Sequence, residues 1–327
     1  MRAIITHSYG DPGVLEMGTV PTPEVNDSEI LIAVKASALN RADTLQRMGK
    51  YPPPKGESDI IGLEVAGVVA AMGKSVTKWK RGDRVCALLA GGGYAEYAKV
   101  HQDIAMPIPD NLDFLQAAAI PEVFLTAYQA LHWLGEMRMG ETLLVHAAAS
   151  GVGTAAIQLA KKNGLKVIGT ASAGKHDLCL RLGADFMVDY KKDDFEEAIQ
   201  AYLGRADAVD IVLDFIAAPY FKKNIRLLAP DGRYILLALM GGTRVSEFSM
   251  APILRKRLQI KGSTLRARSL EYKHKLVASF LKDYFKLLEA GSIHPVVDTV
   301  FDWSEVAAAH RFMEANKNQG KIVLRVD

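Results

Sequence analysis

At 327 residues, 49% hydrophobic and 24% charged, the chain has room for two cored domains and the composition of an ordinary globular protein. A net charge of +3 is too weak to suggest nucleic-acid binding by field alone. No apolar run approaches the roughly 20 residues of a membrane-spanning helix. The opening MRAIITHSYGD turns polar after three apolar residues, so neither a signal peptide nor an anchor is expected, and the cytoplasm is the expected compartment. Cys86 and Cys179 lie in apolar segments and are expected to be buried free thiols.

The first third has β character. EILIAVKASALN (29–40) opens with the apolar–polar alternation of a half-buried strand. Turn residues punctuate the region: GDPG at 10–13, PTP at 21–23, YPPPKG at 51–56, RGD at 81–83 and GGG at 91–93. That spacing predicts a barrel-like domain of short strands. The pattern changes near Pro121. LLVHAA, KVIGTAS, FMVDY, DIVLDFI, GRYILLAL and LQIKGSTL are then each followed by a helical pattern. Continuous apolar strands alternating with amphipathic helices predict a parallel sheet covered on both faces. The tail ends in KIVLRV, a strand able to return to the first domain.

Within the second region, LLVHAAASGVGTAAIQLAKK (143–162) reads as a strand, a tight turn and a helix. Such a turn lets backbone approach a pyrophosphate, and the helix N-terminus offers unpaired N–H groups and partial positive charge. Ser150, Gly151, Val152 and Gly153 form the candidate cradle, and Lys161, Lys162 and Gly164 suit the helix C-terminus. The fit to G-x-G-x-x-G is imperfect. One register takes Ala148, Ser150 and Gly153, the next Gly151, Gly153 and Ala156, and tight helix–strand packing is the competing reading.

The next strand indicates which dinucleotide. An NAD site carries an acid about 20 residues beyond the glycines, on the ribose 2′-hydroxyl. Here GTASAGKHD (169–177) places Ala171 and Ser172 at the strand end, with Lys175 following. A hydroxyl and an ammonium suit a 2′-phosphate, and Tyr190 at the third strand end adds a phenol. NADPH is therefore expected over NADH; a solvated Lys175 is the alternative. Ligands of open α/β sheets lie across the carboxyl ends of the strands. Phe215, Met240, Gly241, Gly242, Leu265 and Arg266 accordingly become candidate cofactor wall, with core packing the alternative for Phe215 and Met240.

Six blocks resemble the zinc-independent medium-chain dehydrogenase/reductases, in particular the NADPH:quinone oxidoreductases related to zeta-crystallin and their stress-inducible branch. They are ASALNRADTLQRMGKYPPP (36–54), IIGLEVAGVVAAMG (60–73), GDRVCALLAGGGYAEYAKV (82–100), AAAIPEVFLTAYQAL (117–131), HAAASGVGTAAIQLAK (146–161) and EANKNQGKIVL (314–324). The resemblance implies an α/β chain with a Rossmann-type doubly wound parallel sheet plus a GroES-like β-barrel domain. It places the GroES-like catalytic domain at 1–121 and 292–327, the Rossmann domain at 122–291, and the active site in the cleft between them. It also implies a homodimer paired edge to edge through the Rossmann sheets. Thr126 resembles a position facing nicotinamide, and Asn318 and Lys321 match a segment that reaches back to the cofactor.

The zinc-binding members differ where it matters. Their catalytic ligands fall at Asn40, Leu63 and Glu122 of this chain, and the segment after Asp83 offers only Cys86 of the four cysteines of a structural zinc lobe. No zinc is expected. Without a Lewis acid, hydride transfer onto an electron-poor quinone is the natural chemistry, because accepting it rearomatises the ring and leaves charge on an oxygen. Tyr51, on the Pro-stiffened YPPP loop, offers a donor hydroxyl and an aromatic face. Asn40 offers an amide, and Ser150 could orient nicotinamide, ribose or water. These three form the expected catalytic shell. Their bland alternatives are cover for the cofactor, a cap on the helix RADTLQR, and a turn residue. Asp43 reads as structural and His146 as a core histidine; the remaining histidines show no metal spacing.

Two other functions compete. Reduction of activated C=C bonds in enones, alkenals or enoyl thioesters uses the same hydride geometry. From another class, an NADPH-binding protein interacting with RNA or protein would use RKRLQIKGSTLRARS (255–269), which has six basic residues and no acid. It lacks interleaved aromatics, and half of it reads as a strand.

Overall fold

A computed structural model describes residues Met1–Val326. The chain forms two compact units, one of 1–125 with 265–327, the other of 126–264.

In the first unit β1 (Arg2–Ile5) pairs antiparallel with β2 (Glu16–Thr19). There follow β3 (Glu29–Ala38), α1 (Arg41–Arg47), β4 (Glu64–Met72), β5 (Arg84–Leu88), β6 (Tyr97–His101), β7 (Ala105–Pro107), α2 (Phe114–Ala117) and α3 (Pro121–Tyr128). The alternation of β3 buries Ile30, Ile32, Val34 and Ala36 on one face.

The second unit begins within α3, which continues as a π-helical turn over 129–134. It then alternates β8 (Thr142–Val145), α4 (Gly151–Lys162), β9 (Lys166–Ala171), α5 (His176–Arg181), β10 (Phe186–Asp189), α6 (Phe195–Leu203), β11 (Val209–Asp214), α7 (Ala218–Leu227), β12 (Leu228–Leu236), α8 (Ala251–Lys256) and β13 (Gln259–Gly262). All neighbouring strands are parallel, in the order β10-β9-β8-β11-β12-β13. That is the doubly wound 3-2-1-4-5-6 order, whose switch point lies between β8 and β11.

The chain returns to the first unit with α9 (Leu270–Glu289), β14 (Val297–Asp302), α10 (Val306–Glu314) and β15 (Lys321–Arg325). β15 pairs antiparallel with β3, Val323 opposite Ala38, completing the sheet β14-β15-β3-β4-β5-β7, with β6 also on β3. The expected returning strand is therefore present.

The unit boundaries differ from the sequence expectation. The first falls after Leu125, four residues beyond 121, and the second at Leu265, not 292. α9 belongs with the first unit because its buried face, Leu276, Val277, Phe280, Tyr284 and Leu288, packs there. The Phe280 ring lies 6.0 Å from that of Phe124, and Asn111 Nδ2 donates to the Leu288 carbonyl at 3.0 Å.

Candidate active site

The glycine turn is built by capping and close packing together. Ser150 is the N-cap of α4, its Oγ accepting from Gly153 N at 3.1 Å. A Cβ on Gly153 would lie 2.5 Å from the Ala148 carbonyl oxygen and 2.6 Å from that of Ala147. Glycine is thus required for the helix to sit on the turn, so the packing reading holds at Gly153. Ahead of it the amides of Gly151 and Val152, in the first helical turn, have no hydrogen-bond partner among the described residues and are only partly covered. A helix start with two open amides carries unpaired N–H donors and partial positive charge. The two readings of the motif describe different residues of one turn.

Beneath the turn, His146 is fully buried. Its Nδ1 meets Thr170 Oγ1 at 2.9 Å and its Nε2 meets Asn224 Oδ1 at 2.8 Å. Burial pushes its pKa down, so it is a neutral core histidine, as the sequence suggests. Asp214, ending β11, accepts from the amides of Ile216 and Ala217 and from the Tyr234 hydroxyl, which fixes the loop carrying Phe215.

The other cofactor candidates divide. Ser172 and Lys175 are half-buried at the end of β9, and Tyr190 is exposed after β10, so all three stand at the carboxyl edge of the second unit's sheet. Phe215 is largely buried, whereas Met240 is 50% exposed on the loop after β12. Gly241 must be glycine, since a Cβ would lie 2.8 Å from the Ile216 carbonyl oxygen. Thr126 is half-buried in α3.

Leu265, Arg266, Asn318 and Lys321 belong to the first unit, and two of them have other duties. Arg266 is buried, with Nε on the Ala90 carbonyl at 2.7 Å and Nη2 on Gln46 Oε1 at 2.7 Å. Its guanidinium is committed within the first unit, lying 5.3 Å from the Tyr51 ring centroid with Nη1 on the Tyr51 carbonyl. Lys321 is likewise buried, its Nζ holding the Leu39 carbonyl at 2.6 Å, Asn40 Oδ1 at 2.7 Å and Glu64 Oε1 at 2.6 Å. Leu265 is buried, and Asn318 Nδ2 donates to the Gly320 carbonyl at 2.8 Å.

Around Lys321 the first unit assembles a polar cluster. Asn40 caps α1, its backbone N donating to Asp43 Oδ2 at 2.7 Å. Its amide donates to Glu64 Oε1 at 2.8 Å and to the Ala38 carbonyl at 3.3 Å, so both amide protons are engaged inside the protein. The assignment of Asn40 as donor to a substrate oxyanion is corrected accordingly: it orients Glu64 and Lys321. Glu64 Oε2 accepts from the Glu122 amide at 2.8 Å. Further in, Arg47 donates to His310 Nδ1 at 3.1 Å, His310 Nε2 lies 3.4 Å from the Tyr94 hydroxyl, and Tyr94 donates to Asp43 Oδ2 at 3.1 Å. Burial and Arg47 push His310 down to about 3, so the ring is neutral. Burial raises Asp43 to about 7 despite its hydrogen bonds, and burial plus the Glu64 charge raises Glu122 to about 8.

Sequence reading passed over Glu64 as an actor and met Glu122 only as a position where zinc proteins have cysteine. One signal was available: Glu64 is a lone acid in the apolar strand GLEVAGVV, and such an acid must have a partner. The basic stretch 255–269 also resolves. Lys256 caps the carbonyls of Ile225, Arg226 and Leu228, Arg257 pairs with Asp231, and Lys261 reaches Glu136 and the Leu134 carbonyl. With Arg266 buried, four of its six bases are held by partners within the fold.

Together, a β-rich unit enclosing a polar cluster and a doubly wound sheet ending in a capped glycine turn define a dinucleotide-type two-unit architecture. The sequence matches the family model described as alcohol dehydrogenase GroES-like domain over residues 26–110, and that described as zinc-binding dehydrogenase over 182–324. It is 32% identical to human quinone oxidoreductase over 328 residues, 99% of this chain and 97% of that protein. It is 36% identical over 309 residues to highly-reducing polyketide synthase 1 of Aureobasidium melanogenum, covering 93% of this chain but 14% of the synthase. The solved Escherichia coli quinone oxidoreductase complexed with NADPH superposes with a TM-score of 0.89 at 29% identity, 100% of each chain being covered. The CurK enoyl reductase gives 0.88 at 26% identity, covering 100% of this chain and 99% of its own. The chain belongs to the medium-chain dehydrogenase/reductase family of oxidoreductases, with a GroES-like domain.

The zinc in one family description does not fit these residues. Asn40 Oδ1 accepts from Lys321 and Leu63 has no donor atom, which leaves Glu122 as one carboxylate where a catalytic zinc takes about three protein ligands. Among the described residues no group of three or more His, Cys, Asp or Glu is arranged to hold a metal. Nor is any described helix long and apolar enough to cross a membrane.

Proposed function

We propose that this oxidoreductase uses NADPH to reduce a quinone. The observation that carries the reading is the end of β9, where Ala171 and Ser172 stand in place of a ribose-binding acid and Lys175 follows. The NADPH complex of the Escherichia coli relative supports the cofactor, and the human relative's name supports the acceptor. The residues fit the dinucleotide: Gly153 leaves no room for a side chain between turn and helix, and the amides of Gly151 and Val152 are open.

Bound NADPH supplies a hydride from its reduced ring. The protein positions and polarises. The hydroxyl of Ser150 still has its own proton to donate while its oxygen caps α4. Ser172 and Lys175 favour a 2′-phosphate over a bare hydroxyl. Arg266 holds the Tyr51 ring, and the Tyr51 hydroxyl has no hydrogen-bond partner among the described residues. Burial, with Glu122 adding to it, pushes the Tyr51 pKa up, so the phenol remains a donor for a developing acceptor oxyanion.

Lys175→Glu should weaken NADPH binding about 10- to 100-fold and leave NADH binding unchanged, as expected for loss of a charge-assisted contact to phosphate. Fluorescence titration of both nucleotides checks this, and an unaltered NADPH affinity removes Lys175 from the site. Tyr51→Phe should lower naphthoquinone turnover about 100-fold at constant NADPH affinity; a wild-type rate reduces Tyr51 to packing.

A second reading, reduction of activated C=C bonds, is favoured by the likeness to the CurK enoyl reductase. Parallel turnover of naphthoquinone and a crotonyl thioester separates the two. We also propose a homodimer through β13, whose outer edge is unpaired and whose Ile260 is 41% exposed. A sedimentation mass of one chain would refute it.

A further inference from the structure

Hydride transfer to a quinone leaves an oxyanion that needs a proton, and none of the residues above is an acid placed to supply it. We propose that Glu122 is the acid that protonates the reduced acceptor, an inference that rests on the quinone-reductase reading. Its geometry sets it apart: Asp43 also has one buried oxygen without a partner, but its other oxygen accepts from Asn40 N and the Tyr94 hydroxyl. Glu122 is the second residue of α3, and its Oε2 is buried with no hydrogen-bond partner. Glu64, by contrast, is satisfied on both oxygens, by Lys321 and Asn40 on one and by the Glu122 amide on the other.

Charge balance decides which group keeps a proton. Asp43, Glu64 and Glu122 stand against Lys321, which is in direct contact with Glu64 alone. Lys273 lowers the Glu122 pKa only weakly, its own Nζ donating to the Arg266 carbonyl at 2.7 Å, and Arg266 is turned to Gln46, Ala90 and Tyr51. One ammonium cannot neutralise three crowded carboxylates, so the unpartnered carboxyl holds its proton. Its pKa of about 8 agrees, and an acid titrating near neutrality is well matched to proton transfer. The Glu122 charge also acts on Tyr51, adding to the upward push that burial gives its phenol.

The step balances. Bound NADPH would supply one hydride, that is one proton with two electrons; the Glu122 O–H bond then breaks, a new O–H bond forms on the acceptor oxygen, and water returns a proton to the carboxylate.

The test is the pH dependence of naphthoquinone reduction by wild type, Glu122→Gln and Glu122→Asp, together with infrared titration of the cofactor-free proteins. Wild-type turnover should fall as pH rises through about 8. Glu122→Gln should lose about 100-fold in turnover, together with that alkaline limb, at unchanged NADPH affinity. Glu122→Asp should keep the limb and part of the rate. In the infrared, the buried carboxylic-acid carbonyl absorption at neutral pH, to which Asp43 also contributes, should lose the component that titrates near 8 in Glu122→Gln. A wild-type enzyme inert toward every quinone overturns both readings. An active enzyme whose Glu122→Gln variant keeps its rate and alkaline limb, or that infrared component, overturns this one alone.

Discussion

Lys321→Met should destabilise the first unit by about 3–5 kcal/mol, the cost of stripping a buried ion pair of one partner. Among the described residues the ammonium is the only side-chain cation paired with Glu64, and it also holds the Leu39 carbonyl and Asn40 Oδ1. Removing it leaves a buried carboxylate facing two other acids and leaves two oxygens unsatisfied. Methionine fills nearly the same volume, so the loss reports charge and hydrogen bonding, with packing nearly constant. The urea midpoint of the Lys321→Met protein, read by circular dichroism, measures it. Adding Glu64→Gln to that background should restore a large part of the loss, because it removes the stranded charge. A single variant within about 1 kcal/mol of wild type would show that the cluster is far wetter than its burial implies.

Gly153→Val should abolish measurable NADPH binding and cost about 1–3 kcal/mol of stability, the usual range for overpacking. The obstruction is backbone: a Cβ there meets the carbonyl oxygens of Ala148 at 2.5 Å and Ala147 at 2.6 Å. Relief requires α4 to lift from the turn, which carries the amides of Gly151 and Val152 away from the pyrophosphate they are proposed to hold. Ser150→Ala removes the cap at Gly153 N and the hydroxyl proton but leaves the turn's backbone in place, and should cost about 1 kcal/mol of stability and weaken NADPH binding less than Gly153→Val. Nucleotide titration and thermal unfolding of the two variants order these effects. Equal NADPH affinity in wild type and Gly153→Val would sever the turn from the cofactor.

Much of the architecture was legible because its periodicities are local. The apolar runs of β8, β9, β11 and β12 announce strands covered on both faces, and the glycine turn lies between the first of them and α4. The return of β15 was legible from its apolar run after NKNQGK. The placement of α9 was not. An amphipathic helix reveals that it has a buried face, but which unit supplies the covering residues depends on Phe124 and Asn111, more than 150 positions away. The site divides in the same way. Ser150 and Lys175 are readable beside the turn and strand that position them. Arg266 was read as cofactor wall from its place after a strand end and Lys321 from the resemblance of its segment, while their side-chain partners, Gln46 and Glu64, are about 220 and 257 residues distant in sequence. Glu122 stayed hidden because nothing in PEVFLTAY distinguishes a solvated first-turn acid from one facing another carboxylate.

The pairing of β15 with β3 has a bearing on how the chain is made. Val323 sits opposite Ala38, so a strand made late is laid against one made nearly 300 residues earlier. The parallel sheet between them is continuous in sequence and can close while the ribosome is still at work, because domains fold as units during synthesis. The β-rich unit must wait. Until translation delivers Lys321, Glu64 lacks its counter-ion and β3 has an open flank, and a nascent chain in that condition presents a sticky edge to chaperones and to its neighbours on the polysome.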